Sequence, residues 1–284
     1  MRHAALRTVL ALFAAALCAC SSRSAPASTR SDASTPAIQA SASPASTETA
    51  PTAGATIDDQ RSPAASQTRA VQPATGLVQT IVRGNTSRRV VALTFDAGSD
   101  AGYTANILDV LATSGARATF SVTGLWAEQN RDLLLAIAAG GHEIINHTYD
   151  HKSFTGISSG AAPLTPGQRA LELSRTEVTV YHLAERSTRP YWRPPYGDLD
   201  GTAQADAAAA GYTSTVMWTV DTLGWNGATA DAIVDRCLAK AESGAIYVMH
   251  VGSASQDAVA LPRIIGGLRA QGYGFGTVAE IVAP

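Results

Sequence analysis

The chain has 284 residues, 45% of them hydrophobic, with 21 basic against 23 acidic side chains. That is enough apolar material for a sizeable core, and the near-neutral balance lacks the polycationic surface on which nucleic-acid binding depends, so nucleic acid is excluded as a partner. The composition changes so sharply near Pro73 that one folded domain is expected, over residues 76–284.

Residues 1–20 carry Arg2 and Arg7 and then the apolar stretch from Thr8 to Leu17, about half the length a bilayer requires. Such a segment reads as an export signal rather than a transmembrane helix. Its end, Leu17-Cys18-Ala19-Cys20, resembles a bacterial lipobox, in which cleavage leaves the cysteine as the first residue and its thiol receives lipid. Lipidation of Cys20 is the expectation, and cleavage near Ala19 without lipid is the alternative. Residues 21–75 are almost entirely Ser, Ala, Thr, Pro and other polar residues, with Ile38, Ile57 and Val71 as scattered large aliphatics. Too little apolar surface is present there to offset the entropy of ordering, and a coil of this length reaches roughly 40 Å. The expected protein is therefore exported and tethered by lipid to the outer face of a bacterial cytoplasmic membrane, or held elsewhere in the cell envelope.

From Arg89 onward short apolar runs alternate with helix-like segments. Strands are expected at Val90 to Phe95, Ala118 to Val122, His142 to Asn146, Pro190 to Arg193, Thr213 to Thr219, Ala245 to Met249 and Gly274 to Val278. Interleaved helices make these about seven parallel strands joined by crossovers. Ile107, Leu108 and Leu111 mark one helix face, and Leu261, Ile264, Ile265 and Leu268 mark another. Gly140-Gly141 and Gly272 supply stops. Alternation of this kind suits an open doubly wound sheet as well as a barrel. Cys237 shares an apolar helix face with Ile233 and Val234, which points to a buried thiol rather than a nucleophile.

Asp96, His147, His151, Arg193, Asp221 and His250 each fall near the end of one of these runs. On an α/β barrel such residues converge on one rim, where that fold carries its chemistry. Carboxylates, imidazoles and a guanidinium suit metal-assisted hydrolysis. Asp96 begins the turn Asp96-Ala97-Gly98, and an acid there is either a general base or a turn residue satisfying local N–H groups. His147 and His151 are four residues apart, so within one helical turn both rings would face one cation of the zinc type. In Arg193-Pro194-Pro195-Tyr196 the prolines have no N–H, which leaves the Tyr196 amide as the first free donor, suited to an oxyanion. Arg193 suits the Asp96 carboxylate. His250 suits protonation of a leaving amine near neutral pH, whereas His142 and His182 read as structural or solvated.

Taken in order, Thr-Phe-Asp96-Ala97-Gly98, His147-x-x-x-His151, Arg193-Pro-Pro-Tyr196-Gly197, Trp218 through Asp221-Thr-Leu-Gly224-Trp225, and Val248-Met-His250 resemble the motifs of the NodB-type polysaccharide deacetylases, carbohydrate esterase family 4. The resemblance implies a distorted (β/α) barrel that removes acetyl groups from N-acetylated sugars with a divalent metal, zinc being favoured and cobalt or another ion possible. It implies His147 and His151 as metal ligands, Asp96 as the base, Arg193 as its orienting partner and His250 as the acid. It also implies Tyr196, Trp218, Trp225 and Val248 as substrate-binding residues.

Two departures remove carboxylates. Ala97 stands where the family's metal-binding aspartate sits, and Gly224 replaces an acid of the motif that orients the catalytic histidine. Asp100, or Asp96 itself, is the expected replacement ligand, and Asp221 the expected support for His250 or Arg193. The substrate implied is an acetylated polysaccharide, above all the N-acetylhexosamine of peptidoglycan or a chitin-like chain. The alternatives are a catalytically impaired wall-binding module and an O-acetyl xylan esterase.

Overall fold

The apolar runs become the strands of one parallel sheet in the computed structural model, which describes residues 78–283. Expectations for residues 1–77, including the signal, the linker and Cys20, lie outside the described residues. The strands are β1 (Gln79–Ile81), β2 (Val90–Ala97), β3 (Thr119–Val122), β4 (Glu143–Asn146), β5 (Tyr191–Trp192), β6 (Ser214–Val216), β7 (Val220–Asp221), β8 (Ile246–His250) and β9 (Gly274–Phe275). The helices are α1 (Thr104–Ser114), α2 (Gly124–Gln129), α3 (Arg131–Ala139), α4 (Pro166–Ala184), α5 (Gly201–Ala209), α6 (Ala230–Ala239), α7 (Asp257–Ala270) and α8 (Val278–Val282). The sheet runs β1-β6-β5-β4-β3-β2-β8-β7, with β9 beside the start of β2.

Its two ends come together without a regular ladder. Past β1, Arg83 makes an antiparallel bridge to Ala245, Gly84 N–H donates to Gly244 O at 2.8 Å, and the Thr219 hydroxyl donates to Val82 O at 2.7 Å. Gly244 has φ +77°, and a Cβ there would meet Gly84 O at 2.3 Å, so only glycine permits this closure. The result is a distorted barrel.

All seven expected strands are present, with changed bounds. The run Thr213 to Thr219 ends as a strand at Val216, and β9 stops at Phe275 because Thr277 caps α8 in a reciprocal box with Glu280. β1 and β7 are additional.

Side-chain alternation along β2 divides two cores. Leu93, Phe95 and Ala97 face the helices and join Phe120, Leu111 and Leu261 in the larger cluster. Ala92 faces inward with Ile145, Val216 and Ile246. Asp96 continues that inward register at the strand's C-terminal end, so the same period that builds the core aims a carboxylate into the barrel mouth. Cys237 is buried on α6, and burial pushes its thiol up to about 12.

Phe95 and Phe120 stack with centroids 5.2 Å apart on neighbouring strands, both fully buried. Phe120→Ala is expected to cost about 3–5 kcal/mol, read as a lower urea midpoint with an unchanged denaturant slope. A loss below about 1 kcal/mol would contradict the packing assigned to this pair.

Candidate active site

Strand pairing brings the acid and base candidates together. Asp96 and His250 are direct partners in the β2–β8 register, and both side chains line one cavity of about 390 Å³ at the C-terminal end of the sheet. His147, His151, Tyr196, Trp218, Trp225 and Val248 line it too.

Arg193 organises the floor of this cavity. Its side chain is fully buried and crosses the barrel interior from the end of β5 to β2. Nη1 donates to Asp96 Oδ1 at 2.6 Å, Nη2 to Thr94 Oγ1 at 2.9 Å, and Nε to Val216 O at 3.1 Å. Burial alone would raise the Asp96 pKa, but the Arg193 charge and hydrogen bond, with smaller help from His147 and His250, hold it at about 2. Asp96 is thus a desolvated but ionised acceptor.

The histidines converge by a route the sequence reading did not anticipate. Residues 147–151 do not form a helical turn: Thr148 and His151 have φ of 66° and 63°, in the left-handed region. The irregular loop is held from both sides. Gly124 and Leu125 at the start of α2 donate their N–H groups to Thr148 O and Tyr149 O, while Glu172 Oε2 on α4 accepts from Tyr149 N at 2.8 Å and Asp150 N at 3.1 Å. The rings then meet edge to face with centroids 4.8 Å apart, and Tyr196 packs against His151 at 4.7 Å.

His147 Nδ1 lies 2.9 Å from Arg193 O. A carbonyl only accepts, so Nδ1 carries the proton and Nε2 is left with a free lone pair, the tautomer a metal ligand requires. Nε2 stands 3.7 Å from Asp96 Oδ2, a separation that one cation bound at about 2.1 Å from each atom spans. Burial lowers the pKa of His147, and burial followed by the charge of His147 lowers His151 to about 4, so both rings are neutral near pH 7. The donors present therefore fit a divalent cation held by two imidazoles with Asp96 in reach. A closed protein cage is absent: among the described residues no cluster of three or more His, Cys, Asp or Glu side chains has a metal-binding arrangement.

Two expectations are corrected here. Asp100 does not face the histidines; its Oδ1 accepts from Ser253 N at 3.0 Å and its Oδ2 from the Ser253 hydroxyl at 2.5 Å, outside the cavity lining. The chain turns back at Ser253, which captures that carboxylate at the surface, so it is not a ligand. Asp221 lines the cavity but supports neither His250 nor Arg193 by hydrogen bond. Leu223, at φ 62°, folds the segment back, and Asp221 accepts from Leu223 N at 2.8 Å and from Trp225 Nε1 at 3.3 Å. Its effect is to fix Trp225, whose ring is largely exposed.

Against this geometry the comparisons decide the family. A family model described as "Polysaccharide deacetylase" matches residues 83–215. The peptidoglycan-N-acetylmuramic acid deacetylase PdaA of Bacillus subtilis is 32% identical over 202 residues, covering 70% of this chain and 73% of PdaA. The chain belongs to the polysaccharide deacetylases, carbohydrate esterase family 4. Another relative of this hydrolase family, the uncharacterised Bacillus subtilis protein YlxY, is 31% identical over 202 residues, which are 71% of this chain but 60% of YlxY. Among solved structures, BA3943 from Bacillus anthracis, described as a pseudoenzyme of carbohydrate esterase family 4, superposes with a TM-score of 0.65 at 28% identity, covering 72% of this chain and 69% of its own.

Within this family member sequence reasoning missed Asp257, Ser255 and Glu172. Asp257 is fully buried beneath His250, whose backbone N–H it accepts at 2.8 Å. Burial alone would lower the His250 pKa, but Asp257, Asp96 and Asp221 outweigh it and the value is raised. The only visible sign of Asp257 was its place in the first turn of the helix marked by Leu261 and Ile264.

The Asp96 pKa lies below its ordinary 3.8, so the stability it contributes is complete above about pH 4 and is lost as pH falls toward about 2. Arg193→Met leaves that carboxylate buried and unpaired, and is expected to cost about 3–5 kcal/mol. In the variant burial raises the Asp96 pKa, so acidification below about pH 5 should regain part of the lost stability, where the parent protein loses it. Chemical denaturation between pH 3 and pH 7 measures the sign; parallel pH profiles for the two proteins would contradict the pairing.

Proposed function

We propose that this chain is a metal-dependent deacetylase that removes N-acetyl groups from cell-wall polysaccharide, with peptidoglycan N-acetylhexosamine as the substrate. The observation that carries the reading is the juxtaposition of Asp96 and His250 on paired strands, beside two neutral imidazoles in one cavity. The relation to PdaA, a peptidoglycan deacetylase by name, supports the choice of polymer.

The chain's own residues divide the work. Asp96, kept ionised by Arg193, accepts a proton from the attacking water. As the new C–O bond forms and the amide C–N bond breaks, His250 delivers a proton to the departing amine, so the products are acetate and a free amino sugar. The raised pKa of His250 favours the protonated form this step needs. Val248 and Trp218 offer the acetyl methyl an apolar wall, and the exposed faces of Tyr196 and Trp225 are suited to stacking on sugar rings. The rigid Pro194-Pro195 turn presents Tyr196 at φ 62°, with its amide as the oxyanion donor. His147 and His151 would hold a divalent cation, zinc or cobalt, which supplies Lewis acidity at the carbonyl. Placement outside the cytoplasm rests on the export-type N-terminus and the lipid tether read at Cys20.

A specific observation favours a second reading, a wall-binding module with impaired catalysis. Ala97 has no donor and packs in the outer core, Asp100 is turned away, and BA3943, the similar structure, is described as a pseudoenzyme. Acetate release decides between them. With chitin oligomers and peptidoglycan, the metal-free protein should be slow, zinc or cobalt should restore turnover, and His147→Ala should remain at least about 10²-fold slower with metal added. A metal-replete protein no faster than His147→Ala would establish the binding module. Release from acetylated xylan alone would make it an O-acetyl esterase.

A further inference from the structure

We propose that Asp257, at the start of α7, is the positioning carboxylate of His250, and that Gly224 lacks a side chain because Asp257 occupies the space one would fill. The proposal rests on the deacetylase reading only for its kinetic consequence; the contact itself is independent of it.

Three observations meet at this point. First, Asp257 is fully buried at the N-terminus of a 14-residue helix, a position that favours an anionic side chain. Its Oδ2 accepts from His250 N at 2.8 Å and from the Ser255 hydroxyl at 2.8 Å. Second, Asp257 Oδ1 and His250 Nδ1 are both buried, and neither has a hydrogen-bond partner among the described residues. An acceptor and a donor left open on two side chains already linked through the His250 backbone point to a bond completed in another state of the ring. His250 Nδ1 lies 3.9 Å from Oδ2 of this carboxylate, and a small ring movement that brings it onto the open Oδ1 satisfies both atoms, of the kind catalytic hydrogen bonds make when substrate binds.

Third, the geometry at residue 224 is exclusive. A Cβ on Gly224 would lie 2.3 Å from Ser255 Oγ and 2.7 Å from Asp257 Oδ2. Gly224 does not have the left-handed φ that demands glycine, so its bareness answers to Asp257 and to the Ser255 hydroxyl that Asp257 holds. The acid at the start of α7 thus fills, behind His250, the space that residue 224 leaves bare. Asp221 does not take the role, since its hydrogen bonds go to Leu223 and Trp225.

With Nδ1–H fixed on Asp257, the ring has one orientation and directs Nε2–H into the cavity, the nitrogen that faces a leaving amine. Asp257→Asn tests this with little change in volume. The amide oxygen keeps the His250 backbone bond, while the NH2 group cannot accept from Nδ1–H.

The experiment pairs two readouts on the full chain. Nitrogen-15 NMR of the histidine rings should show His250 protonated at Nδ1 when neutral, and Asp257→Asn should move it to the Nε2–H tautomer with melting temperature little changed. With metal added and chitin oligomers as substrate, the same variant should lose about 10²-fold or more in kcat with KM within a few fold. Asp257→Ala should lose as much, and Asp257→Ala combined with Ser255→Ala and Gly224→Asp should regain at least about tenfold, because the carboxylate returns from the opposite side of the vacated slot. A His250 tautomer unchanged in Asp257→Asn overturns the proposal, as does kcat within threefold of the parent. If the parent protein releases no acetate, the deacetylase reading fails, and the tautomer alone decides the contact.

Discussion

The ion pair between Arg193 and Asp96 is the constraint on which the rest of the site depends. It joins the end of β5 to the end of β2 across the barrel interior, where Arg193 is sealed from water and Asp96 is only 11% exposed, at the cavity. A guanidinium so placed must find several acceptors, and it finds Asp96, Thr94 and the carbonyl of Val216. The Arg193 carbonyl in turn orients His147. One residue therefore fixes the charge of Asp96 and the tautomer of His147, which ties the cavity's electrostatics to barrel geometry. Preorganisation of this kind costs stability in the resting protein and lowers the reorganisation needed during reaction.

The redistribution of carboxylates follows from the same geometry. Position 97 alternates outward into the helix-facing core, so alanine there joins the apolar cluster. Asp100 lies beyond the turn, where Ser253 captures it. Asp257, by contrast, lies buried on α7 behind His250 and beside Gly224. Asp96 and His250 thus stay together on adjoining strands at the cavity, while the carboxylates of Asp100 and Asp257 are held elsewhere by serines and backbone.

Much of this was legible in the sequence, for identifiable reasons. The cores of β2, β3, β4, β6 and β8 are buried on both faces, as parallel strands beneath helices are, and their runs announced themselves by composition. β1 and β7 escaped notice because Gln79–Ile81 and Val220–Asp221 lie outside any sustained apolar run. The longest helix, α4, was not marked by an apolar stripe, since its buried face includes Arg169, Glu172, Thr176 and Glu177; that polar face is what holds the histidine loop. The histidine pair was found but its backbone misread, because a spacing of four suits a helix and also a loop with two left-handed residues. Asp257 carried no local sign beyond its place in the first turn of a helix. Its meaning lies in a contact across Gly224, which only the tertiary fold reveals.

The central claim is that Asp96 remains ionised in a buried setting because Arg193 holds it. Carbon-13 NMR of the Asp96 carboxyl in protein kept free of divalent cations measures this directly. The account expects its titration near pH 2, well below an ordinary aspartate. A midpoint above about 4 would mean that burial outweighs the guanidinium, and the base assigned to this cavity would be lost.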